Sequence, residues 1–164
     1  MRIQIIDRAK KKKFIVEVED LGMKKIPQLL VRSGKERIRA YSGDLSKDQI
    51  MDFWKIFPIE GVGLYVGKDM MNRNGVHEVR LSLDGMHTWK EQLTERVIEL
   101  TAEQEDAWFT GKNIESDSGF GFDAGFVSVK GGEDFVGMGK VSGDGKLLLN
   151  FLPKERRRKS QVIG

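Results

Sequence analysis

The stretch that most constrains how this chain can fold is residues 131–159, GGEDFVGMGKVSGDGKLLLNFLPKERRRK. Phe135, Val136, Met138 and Val141 form an apolar run notched by Gly137 and Gly139. Asp144 and Gly145 then predict a turn, because both residue types tolerate the positive φ of a tight type I′ hairpin. Residues 147–152 read as a second strand, stopped by Pro153, which has no N–H to give to a ladder. Lys154, Arg156, Arg157, Arg158 and Lys159 follow, interrupted only by Glu155. A glycine-notched hairpin running into a basic segment predicts a small β-barrel that meets a polyanion.

The rest of the chain narrows the options. Its 164 residues suit one medium domain or two small ones. No apolar run approaches the roughly 20 residues that cross a bilayer. The start, MRIQIIDRAKKKK, places apolar residues before the charges, the reverse of a secretory signal, so a cytoplasmic protein is expected. Cysteine is absent, which excludes disulfides, thiolate metal sites and cysteine nucleophiles. The net charge of +3 is modest but segregated. Arg8 and residues 10–13 are basic, as is the 154–159 segment. Between them lies an acidic belt from Glu91 through Glu95, Glu99, Glu103, Glu105 and Asp106 to Glu115 and Asp117. Such polarity favours an oriented encounter with an anionic partner, although terminal charge runs also serve as plain solvated surface.

Periodicity supplies the elements. Ile3, Ile5 and Ile6 suggest a strand, and Phe14, Val16 and Val18 alternate with Ile15, Glu17 and Glu19 as in a half-buried strand. Pro27 puts residues 24–31 at an edge or in a turn, and residues 36–41 suit a further short strand. Ser46 and Gln49 have capping-box spacing. Behind them Ile50, Phe53, Trp54 and Phe57 make one helical apolar face, which predicts that Trp54 and Phe57 are core. Residues 61–68 and 76–83 pair around Asn74-Gly75. A helix is expected over residues 87–100, and a second capping box, Thr101 with Gln104, opens a short helix through Trp108. Residues 116–125 are a Gly/Ser/Asp loop carrying Phe120 and Phe122, and residues 126–130 are a strand.

Few chemistries survive. The ten-residue spacing of His77 and His87 fits no common zinc pattern. No nucleophile elbow accompanies the serines. The pair Gly137 and Gly139 lacks the third glycine and the helix of a dinucleotide site, and residues 142–146 are too short for a phosphate-binding loop. Mid-strand glycines weaken a sheet unless a bulge, a barrel corner or a close backbone approach requires them. A sugar–phosphate backbone is one candidate for that approach, with Lys140 beside it.

Four segments, Trp108-Phe109-Thr110-Gly111-Lys112-Asn113-Ile114, Gly125-Phe126-Val127-Ser128-Val129, Phe135-Val136-Gly137-Met138-Gly139-Lys140-Val141 and Asn150-Phe151-Leu152-Pro153-Lys154-Glu155-Arg156-Arg157, resemble a PUA-like RNA-binding domain. The likeness is to the PUA-like tail of Sun-family RNA cytosine-5 methyltransferases and to small archaeal ribosome-biogenesis proteins of pre-PUA plus PUA build. Upstream, Ile38-Arg39, the helix over residues 45–57 and Val79-Arg80-Leu81-Ser82 look like the pre-PUA companion. Residues 1–35 match nothing, and neither a methyl-donor motif nor a catalytic cysteine accompanies the likeness.

The resemblance implies an α+β protein. A pre-PUA-like α/β domain over residues 1–99 would pack on a small mixed β-barrel over residues 100–158, with a flexible basic tail over residues 159–164. It also implies an RNA-binding accessory protein in rRNA or tRNA modification or ribosome assembly. Such a protein has no cofactor, no membrane partner and no catalysis of its own; its expected partners are structured rRNA or tRNA and an RNA-modifying enzyme. The residues expected at the RNA are Lys112, Lys140, Lys154, Arg156, Arg157 and Arg158 for phosphates, Phe120 and Phe122 for bases, and Gly137 and Gly139 for close approach. The competing reading is a protein-interaction adaptor that docks on a ribosomal protein or an RNA-modifying enzyme.

Overall fold

A computed structural model describes residues 3–56 and 63–158. The chain divides into two compact units, Met1–Trp89 and Lys90–Gly164. The architecture is mixed α and β with one five-stranded sheet in each unit, as the α+β reading expects.

The first unit runs β1 (Ile3–Ile5), α1 (Arg8–Val18), β2 (Leu29–Ser33), β3 (Arg37–Tyr41), α2 (Lys47–Ile56), β4 (Leu64–Met71), β5 (His77–Leu81) and α3 (Leu83–Thr88). Its strands lie in chain order, each antiparallel to the next. The β4–β5 turn is built on Asn72, whose Oδ1 accepts from the N–H groups of Asn74 and Val76, while Gly75 takes φ +75°.

Two expectations fail in this unit. Residues 14–18 are helical, not a strand. The Asp7 carboxylate accepts from Lys10 N–H at 2.8 Å and starts α1, and the lysine run has no objection to a helix. Phe14 and Val18, one helical turn apart, are buried, while Val16 is 58% exposed. A strand would have hidden all three. Phe14 meets Trp89 edge-on at 6.5 Å, and Trp89 Nε1 donates to Gln28 Oε1 at 3.1 Å.

The second failure is the α2 core. Its capping box forms, with Gln49 N donating to Ser46 Oγ and Ser46 N to Gln49 Oε1. Yet only Ile50 is buried; Trp54 is half-buried and Phe53 is 49% exposed. The helix packs on β1, and a three-residue strand, roughly 10 Å long, covers only part of a ten-residue helix of roughly 15 Å. Phe57 lies outside the described residues, as does the 159–164 tail.

The His77 ring on β5 ties α1 to this sheet. Its Nε2 bonds Asp69 on β4, and its Nδ1 lies 3.2 Å from Glu17 Oε1 on α1. Asp69 also pairs with Arg32 on β2 at 2.9 Å. Partial burial opposes charge on the imidazole, but the bonds to Asp69 and Glu17 outweigh it and raise its pKa above 6.5.

The second unit runs β6 (Val97–Leu100), α4 (Ala102–Phe109), β7 (Ile114–Glu115), β8 (Gly125–Gly131), β9 (Asp134–Val141) and β10 (Leu147–Asn150). The sheet order is β6-β8-β9-β10-β7, with β6 parallel to β8 and the other pairs antiparallel. The result is a curled half-barrel. The expected helix over residues 87–100 is absent. α3 stops at Thr88, and residues 97–100 are a strand that buries Ile98 and Leu100 alternately. Arg96, at φ +52°, bends the chain into that strand, and its guanidinium donates to the carbonyls of Phe126 and Asp123. β6 belongs to the second sheet, and the two compact units divide after Trp89.

The β9–β10 turn also departs from type I′. Only Gly145 takes positive φ, at +75°. Asp144 works through its carboxylate instead, accepting from Ser142 Oγ at 2.6 Å and Lys146 N–H at 3.0 Å. These bonds hold its pKa below the ordinary value, the Ser142 hydroxyl contributing most.

Candidate nucleic-acid interface

The second unit is organised around Trp108. The Thr101–Gln104 capping box, present with both reciprocal bonds, fixes the start of α4, and Trp108 follows on the last turn of that helix. The indole is fully buried, and its Nε1 donates to Val136 O at 2.9 Å. That carbonyl is available because Val136 is an extra residue in β9: Val129 pairs with Gly137 and Lys130 with Phe135.

The glycine notch is the seat of the same ring. A Cβ on Gly137, which has φ +142°, would lie 3.3 Å from the indole. A Cβ on Gly139 would also lie 3.3 Å from the indole, and 2.6 Å from Leu148 Cδ1. The close approach that the two glycines require is therefore internal. The sequence reading set both glycines at the RNA; in the structure each lies against the Trp108 ring.

Asn150 then links the end of α4 to β10. Its Nδ2 donates to the carbonyls of Trp108, at 2.8 Å, and Lys112, at 3.0 Å, while its Oδ1 accepts from Leu152 N–H. Past Pro153 the chain makes a 3-10 turn, Lys154–Arg156, and folds back on α4. Arg157 Nε donates to Leu152 O at 2.9 Å, and its guanidinium fills the space over Gly111. Arg158 N–H donates to Phe109 O at 2.6 Å, and its guanidinium sits 4.6 Å from the Phe109 ring centre.

The basic segment therefore splits in two. Arg157 and Arg158 hold the turn in place, while Lys154 and Arg156 are exposed on it. Lys112 is exposed beside Gly111, where Arg157 packs. Lys112, Lys154 and Arg156 are thus exposed on the segments that flank the end of α4, while the Arg158 guanidinium over Phe109 lies 3.8 Å from the Asp106 carboxylate.

The aromatic half of the expected site is rearranged. Phe120 and Phe122 are half-buried against the core that includes Trp108, and Arg96 already lies over the Phe122 ring at 5.3 Å. Burial takes much of the area a base would need. A different pair occurs on the sheet, where Phe126 and Phe151 lie 5.8 Å apart with Lys140 5.2 Å over Phe126. Phe126 and Lys140 are cross-strand partners, a relation set by a bulged register that sequence spacing does not reveal.

The second unit is thus a curled half-barrel around a helix-borne tryptophan. Residues 95–158 match the family described as the Methyltransferase RsmF PUA domain. That match supports RNA binding in an RNA-modification setting for the second unit. No curated protein matches the chain. Among the described residues, no helix is long and apolar enough to cross a membrane.

Proposed function

We propose that this chain is an RNA-binding accessory protein in rRNA or tRNA modification or ribosome assembly, presenting RNA to chemistry performed by another protein. The observation that carries the reading is the pinned basic turn. Within a domain that matches a PUA family, Arg157 and Arg158 fix the turn, and Lys154 and Arg156 on that turn, like Lys112, are exposed. Cations held on a rigid element meet phosphates at a smaller ordering cost than cations on a free tail. The first unit, an α/β body, takes the part of the pre-PUA companion in this reading.

The test is a salt titration of binding to tRNA with the triple variant Lys112→Ala/Lys154→Ala/Arg156→Ala. Arg157 and Arg158 are left intact because they hold the fold of the turn. Each lost phosphate contact should lower the slope of log K against log salt by about 0.7 to 0.9. A variant with unchanged affinity and slope would overturn the reading in favour of the protein adaptor.

A further inference from the structure

The first unit carries a second cationic surface that the PUA match does not reach. On α1, Arg8, Lys11 and Lys12 recur at i, i+3 and i+4, which places them on one side of the helix. The chain then turns through Gly22, at φ +105°, and brings Lys24 and Lys25 alongside. These five cations and the side chains of Ile15, Val16 and Ile26 line an open cavity of about 550 Å³, with no acidic residue among the described residues of its wall.

The charge order along α1 runs against its own dipole. The cations crowd the N-terminal half, no acidic residue stands in the first turn, no basic residue stands in the last, and Glu17 lies near the C-terminal end. A helix N-terminus carries partial positive charge, and the Asp7 carboxylate at the N-cap is the anion that α1 itself supplies beside these cations. Burial first, and then the nearby Lys47 charge, lower the pKa of Lys11, while its Nζ donates to Gln28 O at 2.7 Å.

We propose that this cavity is a second RNA-binding surface, which takes the sugar–phosphate backbone without reading sequence. Four of its five cations are lysines, point charges suited to phosphates strung along a chain; recognition of carboxylates favours the planar arginine fork. Arg8 and Lys12 stand ~6 Å apart along the helix axis, which suits successive phosphates of an extended strand. The apolar floor is too slight for insertion into a lipid surface, since Ile26 is 4% exposed and Ile15 half-buried, leaving Val16 as the one broad apolar contact among them. The proposal rests on the reading of the chain as an RNA binder but uses none of the second unit's residues.

The test compares the full chain, the variant Arg8→Glu/Lys12→Glu and the second-unit triple variant, each titrated with a single-stranded RNA oligonucleotide over a range of salt. Acidic residues suit the start of a helix, so the charge reversal keeps α1 folded; Arg8→Gln/Lys12→Gln is the milder companion. Both first-unit variants should lower the salt slope by about 1.4, two contacts at about 0.7 each, and weaken binding at low salt by about tenfold or more. First-unit variants that match the parent, beside a triple variant that loses RNA, would overturn this inference and leave the proposed function standing. A parent chain that binds no RNA would overturn both. Unchanged RNA binding, with loss of binding to polyglutamate or to phosphatidylserine–phosphatidylcholine vesicles, would assign the surface to that partner and likewise overturn the proposal.

Discussion

Trp54 and Trp108 stand on short helices, each opened by a capping box, and meet opposite fates. Trp108 is sealed, because β9 supplies a bulge whose free carbonyl accepts from the indole and two glycines whose missing side chains make room for it. Trp54 stays half in water, because α2 lies over a strand of three residues. Both helices present apolar residues at helical spacing. Whether an aromatic ring becomes core is decided by the surface opposite it, which its own helix does not encode.

Exchanging each ring for alanine would break or sharpen that contrast. Trp108→Ala should destabilise the second unit by about 3–5 kcal/mol, since it empties a large site and strands the Val136 carbonyl. Trp54→Ala should cost the first unit only about 1–2 kcal/mol, because much of its surface is already wet. Denaturant unfolding followed by circular dichroism would read both, and equal losses would erase the distinction.

Filling the seat should hurt as well. In Gly139→Val the new Cβ meets Leu148 Cδ1 and, at 2.8 Å, the Leu149 carbonyl, which is backbone and yields little. A cost of about 1–3 kcal/mol is expected from such overpacking. If the variant kept its thermal midpoint but lost RNA, the notch would be a ligand surface after all.

The smallest effect lies in the first unit, at the His77 link. Its folded pKa is raised, so its contribution is complete below the ordinary value near 6.5 and fades as pH rises through the raised value. For a half-exposed group the contribution should stay below about 1 kcal/mol. A stability difference between the parent and His77→Gln should therefore appear in mild acid and vanish in mild alkali. An NMR titration placing the imidazole below 6.5 would contradict the bonding to Asp69 and Glu17.

Much of the second unit was legible in the sequence because its signals are local. The Thr101 capping box, the strand notched at Gly137 and Gly139, and the stop at Pro153 each declare themselves within a few residues. The misreadings have the opposite character. Phe14, Val16 and Val18 alternate as in a strand, but three residues spaced by two cannot outvote a cap at Asp7 and a run of lysines. Residues 97–100 read as helix because their partner, β8, comes more than twenty residues later. At the site, the cations were visible and their division of labour was not. That Arg157 and Arg158 hold the turn while Lys154 and Arg156 face outward follows from the fold-back onto Phe109 and Gly111, a tertiary fact.

The sheet orders also differ in when they can be completed. In the first unit every strand pairs with the one made just before it, so the sheet can assemble in step with synthesis. In the second, β6 must wait for β8 and β7 for β10, so each rim of the half-barrel finds its neighbour only after intervening elements have been made. Through that interval Ile98, Leu100 and Ile114 stand uncovered on unpaired edges, a window in which a nascent chain is open to wrong partners. The late arrival of residues 147–150 is thus a timing constraint: β7, made more than thirty residues earlier, has no strand neighbour until β10 pairs with it.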